Sequence, residues 1–314
     1  MERFSLDDGA AAVAAACAAM KPAAAWAIGA ILAECPYWMP GNNALRWIDI
    51  VRPSVNLLDL STGMSGETLV PAKVGSAAPS TNGEMLLALE TGLWLLDPRS
   101  GLRRCAPLDL GGTHFNDGKC DAMGRFWVGS RSSDGSLGKG TLYRLDCDRR
   151  VAAMAHGFDV CNGLGWSPDA SAFYIVDTVP RLLYRYDFDL AAGTIANQRV
   201  IHDFADTPGK PDGLAVDRDG NIWCAMWDGG GIRVLSAEGS PIGWVDTPCP
   251  RPTSCAFGGD DGRTLFVTTA SLGLDPEDIE HFGLSGQILA FRAPIAGTPV
   301  AAYRQPCRSK PDWR

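Results

Sequence analysis

The chain lacks any apolar run of the length that a membrane-spanning helix needs, which argues against an integral helical membrane protein. It also lacks a basic patch. Lysine and arginine number 28 against 36 aspartates and glutamates, for a formal charge of −8, so nucleic acid is not an expected partner. No G-x-S-x-G elbow, phosphate-binding loop or H-E-x-x-H helix is present, which removes the chemistries those motifs announce. The four histidines, His114, His156, His202 and His281, are scattered. A Ser/His/Asp triad need not be local in sequence, but nothing points to one. Ten cysteines occur singly, with no Cys-x-x-Cys pair and no Cys/His zinc spacing. Several sit in apolar contexts, such as Cys224 between Trp223 and Ala225, and read as buried free thiols. Free thiols and the absence of an Asn-x-Ser/Thr sequon point to a reducing, cytoplasmic setting.

A linker is missing too. The 36 glycines and 21 prolines are spread along the chain, so nothing divides it, and residues 29–314 read as one domain. Residues 1–28 differ. Ala10 to Ala25 is nearly all alanine, the strongest helix former, which predicts a short helix in an N-terminal extension. Glu2, Asp7 and Asp8 precede the run, which is alanine rather than leucine, and this fits a signal peptide poorly.

The rest is short β-length runs parted by turn pairs such as Asn82-Gly83, Asp219-Gly220 and Asp261-Gly262. Four segments open with a polar residue and lead through a turn-like stretch into a strand: Glu34-Cys-Pro-Tyr-Trp, Asn116-Asp-Gly-Lys-Cys, Asn162-Gly-Leu-Gly-Trp and Asp212-Gly-Leu-Ala-Val. Asn116 and Asn162 are 46 residues apart, Asn162 and Asp212 are 50 apart, and Glu34 and Asn116 are 82 apart. The last gap holds one further unit, at Gly83 to Asp97, without a polar opener, and another unit follows at Arg251 to Ala270. Six units of roughly 40–50 residues built of short strands predict an all-β fold, a six-bladed β-propeller.

Openers at one structural position of successive blades converge on one point. Glu34, Asn162 and Asp212 would bring two carboxylates and an amide oxygen, a donor set suited to a hard divalent cation. Three protein ligands leave positions open for water and substrate. The alternative is that Asn162-Gly163 and Asp212-Gly213 are ordinary turns. Four openers in register favour the site.

These segments resemble the senescence-marker-protein/gluconolactonase/luciferin-regenerating-enzyme family, which includes regucalcin and sugar-acid lactonases. The resemblance rests on Ala33-Glu-Cys-Pro-Tyr-Trp38, Phe115-Asn-Asp-Gly-Lys119 with Gly124-Arg-Phe-Trp-Val-Gly129, Asn162-Gly-Leu-Gly-Trp-Ser-Pro-Asp169, Pro211-Asp-Gly-Leu-Ala-Val216 and Pro252-Thr-Ser-Cys-Ala-Phe257. It implies a six-bladed propeller with one divalent metal in its central channel. It implies Glu34, Asn162 and Asp212 as ligands, with Asn116 bordering both metal and sugar lactone. Two departures stand out. Relatives commonly have glycine after the metal-binding glutamate, where this chain has Cys35. They often have a substrate-binding arginine two residues before Asn116, where this chain has His114. An acidic residue on the loop after the third-blade strand is carried over as Asp134.

The function expected is metal-dependent opening of a sugar-acid lactone of the gluconolactone, xylonolactone or arabinonolactone type, with Asp212 as general base and His114, Asn116 and Asp134 on the substrate. The alternatives are a regucalcin-type calcium-binding regulatory protein and a related propeller phosphotriesterase or arylesterase. Ca²⁺, Mg²⁺, Mn²⁺, Fe²⁺ and Zn²⁺ all accept such ligands. The partner expected is a small molecule, with no nucleic acid and no membrane, for a monomer or small homo-oligomer.

Overall fold

Six four-stranded antiparallel sheets form the body of the protein, whose computed structural model describes residues 6–305. Each sheet is one blade, and each begins at its innermost strand. These inner strands are Ala33–Met39, Val74–Pro79, Thr113–Cys120, Cys161–Trp166, Lys210–Val216 and Pro252–Gly258. The sheets form because alternating apolar runs are cut by glycine turns. Gly83 and Gly220, for example, take φ of 87°, a conformation that costs glycine nothing.

The apolar faces have nowhere to go but against each other. Six apolar clusters each lie between neighbouring blades. Between the third and fourth, Trp127 packs on Phe173 at 5.4 Å and edge-on to Phe188 at 5.8 Å. Burying one such ring stabilises the fold by about 1.5–3 kcal/mol. Buried aspartates tie the loops. Asp121 accepts from Trp127 Nε1 at 3.0 Å, and Asp217 accepts from Trp223 Nε1 at 2.9 Å.

The ring closes with strands from both ends of the chain. The sixth blade takes Pro252–Gly258, Thr264–Thr269 and Ile288–Arg292 from the C-terminal part, and its outer strand is Pro22–Trp26. Residues 22–26 thus belong to the propeller, although their alanines read as part of the extension. The helix does form, at Leu6–Ala19, and packs against the strand Pro241–Asp246 of the fifth blade. Among the described residues no helix is long and apolar enough to cross a membrane.

At one end of the channel the segment after the last strand lies across the inner strands. Tyr37 donates to the Val300 carbonyl at 2.9 Å, Thr298 Oγ1 to the Val216 carbonyl at 2.7 Å, and Tyr303 N to the Pro79 carbonyl at 2.8 Å. The opposite end holds the cavity described next.

Candidate active site

Every inner strand is broken at the same place. Its pairing with the second strand slips between Glu34 and Tyr37, Val74 and Ser76, Phe115 and Gly118, Asn162 and Leu164, Pro211 and Leu214, and Pro252 and Ser254. A bulge turns side chains out of the regular alternation, and the four polar openers sit at these bulges. The glycines that follow are not turn residues. A Cβ on Gly163 would lie 2.3 Å from the Asp212 carbonyl oxygen, and one on Gly213 2.1 Å from Ser254 Oγ. Glycine lets adjacent inner strands approach closely enough for the openers to meet.

Glu34, Asn162 and Asp212 do meet. They are 8%, 7% and 7% exposed. The Asn162 amide nitrogen donates to Thr178 Oγ1 at 3.1 Å and to Asp212 Oδ1. Its carbonyl oxygen receives no donor among the described residues. Glu34 Oε2 accepts from the Cys35 amide at 3.0 Å. A fourth group, missed by reading one residue per repeat, is Asp117, 6% exposed, whose Oδ2 is buried with no partner. It follows an opener directly, and the bulge turns both inward.

Three buried carboxylates share this space with few cations. Burial, then Asp212 and Asp117, hold Glu34 well above the usual carboxylate range. Burial first and Asp117 second push Asp212 up to about 8. Burial likewise raises Asp117, opposed by Lys119, which donates to the Leu214 carbonyl at 2.7 Å. Three crowded, buried carboxyl groups beside an unpartnered acceptor fit a divalent cation, which would take the place of their protons. Among the described residues no three His, Cys, Asp or Glu side chains group as a ready cage.

Cys35 fills the gap between inner strands. Its φ is 52°, strained for any residue with a Cβ, and its thiol lies 3.3 Å from Ser76 Oγ and 3.2 Å from the Ala77 carbonyl. Burial pushes that thiol up to about 12, so it packs as a neutral group.

His114 and Asn116 line a cavity of about 370 Å³ together with Lys73, Glu90 and Arg131. Phe115 between them is buried and packs edge-on to Tyr143 at 6.1 Å. Asn116 Nδ2 donates to the Cys161 carbonyl at 3.1 Å, and His114 Nδ1 lies 3.2 Å from Ser133 Oγ. Burial first, then the charges of Arg131 and Lys73, lower the His114 pKa, which keeps the ring neutral. Asp134 is not brought to this cavity. Its carboxylate accepts from Ser132 Oγ at 2.5 Å and Ser136 N at 2.9 Å, bonds that hold it below the usual range, and it lines the neighbouring cavity.

Residues 32–271 match the family described as "SMP-30/Gluconolactonase/LRE-like region". The chain belongs to the SMP-30/gluconolactonase/LRE-like family. In this family setting, it is similar to a 6-deoxy-6-sulfogluconolactonase of Pseudomonas putida, 35% identical over 85% of this chain and 93% of that one. It is similar to a pentonolactonase of Haloferax volcanii, 32% identical over 88% and 95%. Among solved structures it resembles a regucalcin of Agrobacterium tumefaciens, described as a calcium-binding protein, with TM-score 0.81 and 28% identity over 88% and 94%.

Proposed function

We propose that the protein is a divalent-metal-dependent lactonase, a carboxylic ester hydrolase that opens a sugar-acid lactone to the free aldonic acid. The observation that carries this reading is the convergence of Glu34, Asn162 and Asp212, with Asp117 behind them, beside a polar cavity that Asn116 also lines. The names of the sulfogluconolactonase and the pentonolactonase support the substrate class.

Glu34, Asn162 and Asp212 would hold the ion. Calcium, magnesium, manganese, iron(II) or zinc bound there supplies a Lewis acid that polarises the lactone carbonyl. Asp212 is the general base. As both ligand and base its basicity would be reduced by the ion, and its place beside the ion is what suits it to take a proton from the attacking water. As water adds to the carbonyl carbon, the ring C–O bond breaks and the ring oxygen leaves as a hydroxyl after gaining a proton. Asn116 orients the sugar. Its amide nitrogen is committed to Cys161, so its carbonyl oxygen is free to accept from a lactone hydroxyl. Neutral His114 offers a hydrogen bond from the same wall. Asp134 would act through Ser132, which lines the cavity and donates to it. The described cysteines are all free thiols, which supports a reducing, cytoplasmic setting.

A calcium-binding role without turnover is the second reading, favoured by the likeness to a protein described as calcium-binding. The deciding test is hydrolysis of a panel of aldonolactones, aryl esters and phosphotriesters by metal-loaded protein, followed by acid release. Lactone turnover well above that of the other esters is expected. Turnover of none would leave the calcium-binding reading, and preference for aryl esters or phosphotriesters would overturn the substrate class.

A further inference from the structure

One wall of the cavity carries more positive charge than a neutral sugar requires. Arg131 lies on the second strand of the third blade and pairs in register with His114 on the inner strand. Directly opposed residues of an antiparallel pair project on one face, so the guanidinium and the imidazole line the same space. Lys73 enters from the second blade, just before the inner strand Val74–Pro79. The blades meet closely here. A Cβ on Gly75 would lie 2.2 Å from the Phe115 carbonyl oxygen.

Neither cation is neutralised by a partner. Among the described residues, Lys73 and Arg131 make no ion pair and no side-chain hydrogen bond. Arg131 Nε is buried without an acceptor. The cavity's one carboxylate is the exposed Glu90 at its rim, and His114 stays neutral, so the wall is net positive. Arg131 also lies within electrostatic reach of Asp212. Two free cations facing a pocket select an anion, and a guanidinium does so with two donors in a fixed fork.

We propose that the substrate is a sugar lactone bearing an anionic group, a carboxylate, sulfonate or phosphate, on the carbon remote from the lactone carbonyl, and that Arg131 and Lys73 hold that group. This rests on the lactonase reading. Arg131 thereby supplies, from the neighbouring strand, the guanidinium that relatives often carry at the position of His114. His114 is left to hydrogen-bond a hydroxyl of the ring.

The test compares matched lactones that differ only at the terminal carbon: hydroxymethyl, carboxylate, sulfonate and phosphate. Metal-loaded wild type should open at least one anionic form with kcat/KM about ten-fold or more above the neutral form. The gain should lie in KM and shrink as salt is raised. The three anionic arms identify which group fits. Arg131→Gln should lower the anionic-to-neutral ratio about ten-fold, Lys73→Gln should lower it less, and Arg131→Lys should restore part of it. Calorimetric binding of the open-chain anionic acid, which requires no turnover, should weaken in parallel. Equal turnover of neutral and anionic forms by wild type, or a ratio unmoved by Arg131→Gln, overturns this inference and leaves the lactonase reading standing. Failure to open any lactone overturns both.

Discussion

Glu34, Asp117 and Asp212 are almost fully buried, and burial is the largest reason that all three hold protons above the usual carboxylate range. The consequence for stability has a definite sign. Without metal, the folded chain keeps protons that the unfolded chain releases near pH 4. Their contribution to stability is therefore greatest below that range and falls as pH rises towards about 8, where Asp212 ionises in the fold. A divalent cation replaces those protons, so adding one should raise the melting temperature more at pH 8 than at pH 5, as followed by scanning calorimetry. An equal rise at both pH values would mean that these carboxylates do not hold the ion. His114 stands apart from that cluster. His114→Ala should raise KM several-fold or shift preference among lactones while leaving metal affinity nearly unchanged; kinetics unaltered across the panel would make the ring a bystander. The residue scale is also where sequence reading stops short. Glu34, Asn162 and Asp212 recur in register and are visible as a pattern, and Asn116 joins them. Asp117 is hidden because its blade alone follows the polar opener with an acidic residue. Arg131 is hidden because its partner His114 lies across a strand pair, not along the chain.

At the scale of the strand, the repeated slip in pairing is the device that turns a repeat into a site. A period-2 pattern predicts strands; the run Phe173 to Asp177 lies within an observed strand, and the run Arg125 to Ser130 does so from Phe126 on. The same pattern cannot show a bulge, because the bulged residues are the ones that break it. The glycines after Asn162 and Asp212 look like turns in sequence; the packing of the next blade is what requires them. Gly163→Ala should therefore destabilise the protein by about 1–3 kcal/mol in urea denaturation. Gly66→Ala, on an exposed strand with open space around its Cα, should change stability little. Similar losses at both positions would mean that blade approach does not depend on Gly163. The closing strand Pro22–Trp26 was illegible for a simpler reason. Its alanines favour a helix intrinsically, and only pairing with Ile288–Arg292 makes them a strand.

For the whole molecule, six sheets packed around a channel make the fold independent of the site it encloses, since the cores lie between blades and not at the axis. The blade count and the order of the inner strands were readable from spacing alone; the closure by both termini was not. Nine described cysteines are free thiols, and Cys307 lies outside the described residues. In denaturant without reductant, all ten should titrate as thiols, and recovery of several disulfides would contradict a reducing setting. The same independence of fold and site makes the ligand assignment testable by substitution. Glu34→Gln, Asn162→Ala and Asp212→Asn should keep the circular dichroism of the parent while lowering metal affinity by roughly two orders of magnitude. The most direct measurement is lactone hydrolysis by chelated protein titrated with a divalent cation, run beside these three variants. The expected result is negligible turnover without metal and activity that saturates at one equivalent in the parent alone. Full activity in excess chelator, or parent-like activity in two of the variants at limiting metal, would contradict it.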